Sequence, residues 1–375
     1  MSEEMKNGQM VFAKRVQTQN AGEGIDLASV AQGRKRQEFP EADAPVVPVI
    51  IEGTDKEKRQ MAYLINETCK SDYGRQVIQT ALENDYKFVF DDSIPDAYGF
   101  ADPENKLCAM NPTFTTEDLI ATMAHELRHV YQFSFPICNE CNPGEADAKS
   151  NLMLLRSMEA DASEYECLVS WDLKEKGLPG AWANFSRDFP EMAKPFEKAM
   201  IENEGKPEQI AKARTAAFMG WYDNLPRRVG YDESYVECLQ ENGPKALESS
   251  LKSFKVEDMV AAFCQEKGKS YFTANPSDLA EGYLVATSQQ NKDALKRFFN
   301  AYNRLPGNAK ERSLAEIPVL EKTEKPKAVA KSLPAKQAAL EAKQEAARNT
   351  IQNKKKDALT TRALFMHAQQ NRKNR

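Results

Sequence analysis

Two histidines and a glutamate lie within one short run of the sequence, His125-Glu126-Leu127-Arg128-His129. Residues four apart on a helix share a face, so both imidazoles can bind one metal ion. Zinc accepts imidazole nitrogens readily, and catalytic zinc sites keep one position open for water. Glu126 directly follows the first histidine, where its carboxylate can take a proton from that water as a general base. The run therefore predicts a hydrolytic Zn²⁺ site with His125 and His129 as metal ligands and Glu126 as the catalytic residue.

The alternative is a pair of histidines that belong to the core or to the surface of an amphipathic helix. The whole chain has only three histidines, and two of them stand in this run. A chance match is therefore rare, on the order of one in several hundred chains of this length.

The elements around the motif are those that could hold it in place. Thr115 and Asp118 have the spacing of a capping box, which predicts a helix that starts at Thr115 and carries the motif. Before it we expect two helices within residues 55–84, with Gly74 near their break, then strands and a hairpin within residues 86–110. After it we expect a loop, a helix over residues 151–176 and mainly helical structure to about residue 302. These patterns predict an α+β, mostly helical fold, in which a small antiparallel sheet packs on the motif helix and a helical subdomain follows.

The sequence around this helix resembles the zincin metallopeptidases. Thr122 stands three residues before the first histidine, and Val130 and Tyr131 follow the second, as in the wider zincin pattern. Arg128 departs from that pattern, since many zincins have uncharged residues between the histidines. The strand arm at residues 105–112 resembles the zincin edge strand that binds extended substrate. Over about residues 55–175 the chain looks most like uncharacterised bacterial metallopeptidases, which implies a zinc-dependent peptidase acting on a protein or peptide substrate.

A site with two histidines needs a third protein ligand. His367 falls in the basic tail, so no third histidine is available in the folded part and the metzincin pattern is excluded. A carboxylate from a later helix remains, as in the gluzincins. We prefer Glu159, 30 residues after His129, with Asp161 as the alternative. The two acids lie about 200° apart around a helix, so only one can face the ion, and the other could hydrogen-bond a ligand histidine.

Composition divides the 375-residue chain into three parts. We expect a disordered segment over residues 1–54, a metallopeptidase-like domain over residues 55–315 and a basic, helix-prone tail over residues 316–375. The domain has a motif half, residues 55–176, and a helical half, residues 177–315.

The charge is distributed unevenly between body and tail. From residue 321 onward there are 14 Lys and Arg against 5 Asp and Glu, a net charge of +9, which leaves −14 for residues 1–320. Such a tail could bind an acidic partner. Nucleic acid is not expected, because the tail lacks interleaved aromatic residues apart from Phe365.

The chain has no signal-peptide pattern at its N-terminus and no apolar stretch long enough to span a membrane. Its seven cysteines are odd in number and mostly isolated, which is not typical of a disulfide framework. These features predict a cytoplasmic location, and export by a leaderless route is compatible with the same pattern. For the C-x-x-C pair, Cys138 and Cys141, we prefer simple loop cysteines to a structural metal site or a redox role.

A third group of residues could stabilise the oxyanion that forms during amide hydrolysis. Tyr222, Tyr231 and Tyr235 lie in an aromatic stretch that also contains the adjacent pair Arg227 and Arg228. Each tyrosine fits a packing role as well, and the sequence does not choose among them.

Two other functions fit the same residues. The first is a non-catalytic interaction protein that keeps a structural metal site, although such a site has no need of Glu126. The second is a translocated effector protease with one specific protein substrate.

Overall fold

The computed structural model describes residues 12–15, 35–94, 97–139, 145–245, 247 and 251–322. The chain divides into two units, residues 1–324 and 325–375, and every described residue belongs to the first. Most of the predicted tail, His367 and Cys141 therefore lie outside the described residues, as do residues 1–11 and 16–34.

Helices make up most of the described part of the chain. They are α1 (Asp55–Thr68), α2 (Asp72–Glu83), α3 (Thr116–Gln132), α4 (Pro136–Asn139), α5 (Ala148–Glu175), α6 (Gly180–Asp188), α7 (Pro190–Glu202), α8 (Gln209–Trp221), α9 (Leu225–Asn242), α10 (Val256–Phe263), α11 (Gly282–Val285) and α12 (Gln289–Tyr302). Short 3₁₀ turns cover Pro276–Ala280, Ser313–Glu316 and Leu320–Lys322. None of the described helices is both long enough and apolar enough to cross a membrane.

The strands form a five-stranded sheet and a separate two-stranded one. The large sheet has β1 (Phe12–Arg15), β2 (Ile50–Ile51), β3 (Lys87–Phe90), β4 (Ala97–Asp102) and β5 (Leu107–Met110), in the order β1-β4-β5-β3-β2. The small sheet pairs β6 (Gln265–Glu266) with β7 (Lys269–Ser270) in antiparallel fashion. The α+β, mostly helical fold is thus confirmed.

The large sheet is mixed, whereas the sequence analysis predicted an antiparallel one. β4 pairs antiparallel with β1 and β5, but β3 runs parallel to both β2 and β5. The chain runs up β3, back along β4 and up again along β5, and β5 lies between β4 and β3. Because β5 and β3 run in the same direction, they pair in parallel. β5 is therefore an interior strand with neighbours on both sides, and the expectation that it is an edge strand for extended substrate is wrong.

The motif helix α3 begins as its sequence predicted. The Thr115 hydroxyl accepts a hydrogen bond from the Asp118 backbone, and the Asp118 carboxylate accepts one from the Thr115 backbone. Every residue from Leu119 to Val130 is buried, because the sheet, α1, α2, α5 and α6 surround the helix. A helix buried on all sides places its polar residues in the interior, where each of them needs a partner.

The sheet and α3 approach each other closely at Gly99 in β4. A Cβ atom at this position would lie 2.6 Å from the Ala109 carbonyl oxygen and 3.2 Å from the Thr122 methyl group on α3. Because glycine has no side chain, β4 can approach the motif helix more closely here than any other residue would allow.

Two of the predicted boundaries shift along the chain. The break between α1 and α2 falls at residues 69–71, so Gly74 lies inside α2, where a Cβ would clash with the Thr68 carbonyl oxygen. Helix α5 begins at Ala148, earlier than expected, because the Asp147 carboxylate caps its N-terminus.

Residues 35–54 contribute to the fold, although the sequence analysis placed them in a disordered segment. Phe39, Val47 and Val49 are buried in the main core, and β2 pairs with β3. Their burial comes from contacts with residues far along the chain, which local polarity does not indicate.

Two clusters of buried apolar residues both include residues of α5. The larger one surrounds α3 and extends through α1, α2 and α6–α8. The smaller one joins the first turns of α5 to α9 and α12, with Leu152, Tyr235, Leu295, Phe298 and Ile317 among its residues. Helix α5 thus connects the motif half of the protein to the helical half.

Candidate metal centre

The two motif histidines lie on one face of α3 and meet an acid from α5. The Nε2 atoms of His125 and His129 are 3.2 Å apart. The Glu159 carboxylate lies 3.5 Å from His125 Nε2 through one oxygen and 3.4 Å from His129 Nε2 through the other. One ligand atom from each of the three side chains lies within 4.8 Å of the others, and all three residues are buried. The structure therefore brings together the two histidines and the preferred acid.

Asp161 faces away from this cluster. Its Oδ2 accepts hydrogen bonds from Arg128 Nε (2.7 Å) and Gln132 Nε2 (2.7 Å), and its Oδ1 accepts from Arg128 Nη2 (2.9 Å) and the Tyr271 hydroxyl (2.6 Å). A carboxylate has about four lone-pair positions. All of them are occupied, so Asp161 has no position left for a metal ion. Two of the four hydrogen bonds come from Arg128, the residue that departs from the zincin pattern.

Gln132 connects Asp161 to the motif. Its amide nitrogen donates to the Met158 carbonyl oxygen (2.9 Å) and to Asp161, and both of these groups can only accept. Its Oε1 therefore faces His129 Nδ1 at 2.8 Å and accepts the proton of that ring nitrogen. In neutral His129 this leaves the lone pair on Nε2, which is directed at His125 and Glu159. The tautomer that a metal ligand needs is thus set by an amide one turn along the same helix.

His125 is held in a similar way by a second acid of α5. Glu166 lies seven residues after Glu159, on the same face of the helix, and its Oε2 is 3.5 Å from His125 Nδ1. Burial by itself lowers the pKa of His125, but Glu159 and Glu166 outweigh it and raise the pKa above its usual value. Burial raises the pKa of Glu159, and the two imidazoles reverse this and hold it well below its usual value. The charged form of each partner is therefore stabilised by the other.

Glu126 is buried and interacts electrostatically with one side chain of the sheet and one of α9. Burial, and then the Glu126 carboxylate, raise the pKa of the Cys108 thiol on β5. Burial and Glu159 raise the pKa of the Tyr231 hydroxyl on α9, and Glu126 contributes further. Glu126 and Tyr231 are therefore close enough to Glu159 to share one electrostatic environment.

The three tyrosine candidates have different positions. Tyr231 lies beside Glu159, as its pKa indicates. Tyr222 is buried with its hydroxyl 3.4 Å from the Ser157 hydroxyl, and Tyr235 packs in the smaller apolar cluster. The structure thus separates Tyr231 from the other two.

The residues present fit a divalent metal ion. Both Glu159 oxygens are fully buried, and among the described residues they face the two imidazoles and Tyr231. An ionised carboxylate in that position is costly unless a charged group faces it. Two imidazoles and one carboxylate are also a donor set that Zn²⁺ uses in catalytic sites.

Sequence reasoning missed Gln132 and Glu166. Both could have been found from helical spacing, since Gln132 is three residues after His129 and Glu166 is seven after Glu159. Gln132 therefore shares a face of α3 with His129, and Glu166 shares a face of α5 with Glu159. Cys138 lies in α4, while Cys141 lies outside the described residues, so the role of the C-x-x-C pair stays a prediction.

Comparison with known proteins agrees with the class that this centre indicates. Residues 37–271, more than half of the chain, match the family model described as "Putative metallopeptidase family (DUF6782)". The chain belongs to that family, and its metallopeptidase classification implies a metal cofactor and a protein or peptide substrate. No match was found among curated proteins or among solved structures.

Proposed function

We propose that the protein is a zinc-dependent peptidase with His125, His129 and Glu159 as metal ligands and Glu126 as the catalytic residue. One observation carries the proposal. Two imidazole nitrogens and a fully buried carboxylate converge in the interior, and the buried acid Glu126 directly follows the first of the two histidines in α3. Asp161 is not proposed as a ligand, because Arg128, Gln132 and Tyr271 occupy its oxygens.

The side chains around the centre have separate roles in amide hydrolysis. A bound zinc ion supplies Lewis-acid chemistry, which polarises the scissile carbonyl and lowers the pKa of water to roughly 7. Glu126 takes the proton from the attacking water and later gives it to the leaving amine. Tyr231 is the candidate donor to the developing oxyanion, since its raised pKa keeps its hydroxyl protonated. Gln132 and Glu166 orient the two imidazoles.

Substrate must displace part of the protein to reach these residues. His125, Glu126, His129 and Glu159 are each 1% exposed or less. The N-terminal half of α9 carries Tyr231, while the remainder of α9 packs with α12 in a core of its own. We therefore propose that a conformational change uncovers the centre before a peptide binds.

The same burial favours a second candidate, a structural metal site in a non-catalytic protein. Structural zinc sites are closed to solvent, whereas catalytic ones retain an open position. The presence of Glu126 beside the ligands argues for catalysis, because a structural site makes no use of a general base.

A comparison of wild type with Glu126→Gln separates the two candidates. Metal content is measured by elemental analysis, and cleavage is measured on a mixed peptide library. The peptidase hypothesis predicts that the variant keeps its zinc and loses at least about 100-fold in rate. Glu117→Gln serves as the control, since Glu117 is an exposed acid on the same helix.

The outcome also decides among the alternatives. If wild type binds zinc but cleaves nothing, and zinc raises its melting temperature, the site is structural. Cleavage confined to one sequence in the library would indicate a protease with one specific substrate. If wild type binds no divalent metal, the proposed function is wrong.

A further inference from the structure

Arg228 differs from the other fully buried arginines of the described chain. It lies near the start of α9 and is 1% exposed. Among the described residues, its Nε and Nη2 atoms have no hydrogen-bond partner, and Nη1 makes a single contact of 3.3 Å with the Tyr222 carbonyl oxygen. Arg128, Arg156 and Arg214 are equally buried, and each of them binds a carboxylate through two nitrogens. A buried guanidinium with most of its N–H groups unused therefore needs an explanation.

Asp232, the carboxylate that interacts electrostatically with Arg228, already binds another arginine. Asp232 accepts from Arg156 Nε at 2.9 Å and from Arg156 Nη2 at 2.6 Å, and its Oδ2 also accepts from the Thr287 hydroxyl at 2.6 Å. Arg156 uses its remaining nitrogens on the carbonyl oxygens of Leu284 and Ala286. Two guanidiniums and one carboxylate leave a net positive charge in the interior.

Arg228 keeps its proton in spite of this environment. Burial, and then the neighbouring Arg156, lower the pKa of Arg228 to about 10, which is still well above neutral pH. The Tyr283 ring covers one face of the guanidinium, with Cζ 4.6 Å from its centroid. A ring face stabilises a cation but does not accept the in-plane N–H groups of Nε and Nη2.

We infer that Arg228 binds a small monovalent anion, such as chloride, at the guanidinium edge formed by Nε and Nη2. Those two atoms form the fork that receives anions bidentately. Full burial excludes a large organic anion, and a single negative charge balances the excess of one positive charge. The contact with Tyr222, which precedes α9, draws the guanidinium to the N-terminal end of the helix, where the helix dipole also favours an anion. This site is separate from the metal ligands and does not depend on the proposed function.

Thermal unfolding tests the site without any activity assay. Wild type is compared in sodium chloride and in sodium gluconate at equal ionic strength, which keeps charge screening constant. We expect chloride at about ten times its dissociation constant to raise the melting temperature by about 3–6 °C. The shift should disappear in Arg228→Met and persist in Arg297→Gln, a control at an exposed arginine of α12.

The Arg228→Met variant has a second signature. Because it removes an uncompensated buried charge, it should melt no lower than wild type in gluconate. A purely structural arginine would instead give a variant that is equally destabilised in both salts, and that result would overturn the inference.

Bromide provides a direct measurement that does not need a variant. A crystal of the whole chain soaked in sodium bromide should give an anomalous peak within hydrogen-bonding distance of Arg228 Nε and Nη2. A peak only at exposed lysines or arginines, or no peak at all, contradicts the site even if the Arg228 variants fail to fold.

Discussion

Replacing Asp161 by asparagine should lower the stability of the protein strongly and weaken zinc binding little. Replacing Glu159 by glutamine should weaken zinc binding strongly and lower the stability less. The two acids are only two residues apart on α5, and both are completely buried. Their surroundings differ, since Asp161 faces Arg128 and Glu159 faces the two histidines. The crossed pair of variants therefore tests which acid is the ligand.

The size of the Asp161→Asn effect follows from its four hydrogen bonds. The variant leaves Arg128 charged in the interior without a counter-ion, because the other acceptors of Arg128 are the neutral carbonyl oxygens of Phe263 and Gln265. Removing one partner of a buried ion pair lowers the free energy of unfolding by about 3–5 kcal/mol. At about 2–4 °C per kcal/mol for a domain of this size, the metal-free protein should melt about 6–20 °C lower.

The Glu159→Gln variant should behave in the opposite way. Its metal-free form loses the attraction to two imidazoles, but these can give up their protons whereas Arg128 cannot, so its melting temperature should fall less than that of Asp161→Asn. Loss of a direct ligand should weaken zinc binding more than the loss of an outer partner, which costs about 10–100-fold. The rise in melting temperature on addition of zinc should therefore largely vanish.

The assay is differential scanning calorimetry of both variants and wild type, first with chelator and then with a zinc titration. If Asp161→Asn melts like wild type but no longer responds to zinc, Asp161 is the ligand and the assignment from its hydrogen bonds is wrong. If both variants keep the zinc response, the third ligand lies elsewhere.

Two further perturbations test the supports of the centre and of α1. Replacing Gln132 by leucine removes the acceptor that fixes the His129 tautomer. Zinc affinity, measured by competition with a chelator, should therefore fall about 10–100-fold. Unchanged affinity would show that Gln132 does not orient the ring. Hydrogen bonds from the Thr54 backbone and hydroxyl, with help from Arg36, lower the pKa of Glu57 from 4.5 to about 2. A lowered carboxyl pKa stabilises the folded state above about pH 4.5, and this contribution is lost as the pH falls toward 2. Glu57→Gln should therefore cost about 1 kcal/mol in urea unfolding at pH 7 and less at pH 3.5, whereas an equal cost at both values would contradict the assignment.

Local spacing made much of the site predictable from the sequence. The capping box at Thr115 and Asp118 and the i, i+4 histidines of α3 depend on residues that are close in sequence, and helical geometry relates them without reference to the rest of the fold. The same spacing showed that Glu159 and Asp161 cannot face the same group. It did not indicate which of the two faces the histidines.

The tertiary structure decided the points that depend on contacts between distant segments. Arg128 stands between the two histidines in sequence, yet its partners are Asp161 and carbonyl groups more than 130 residues away. β5 has the sequence of a hairpin arm, and the parallel pairing of β3 along its other side makes it an interior strand.

By itself, the sequence determined which residues share a helix face, and therefore that His125, Glu126 and His129 could serve one metal ion. Only the packing of α5 against α3 decided which acid meets the imidazoles, because a helix has several apolar faces and the partner of each is chosen by the whole fold. The burial of residues 35–54 has the same origin, since long-range contacts exclude water from a segment whose local composition is polar.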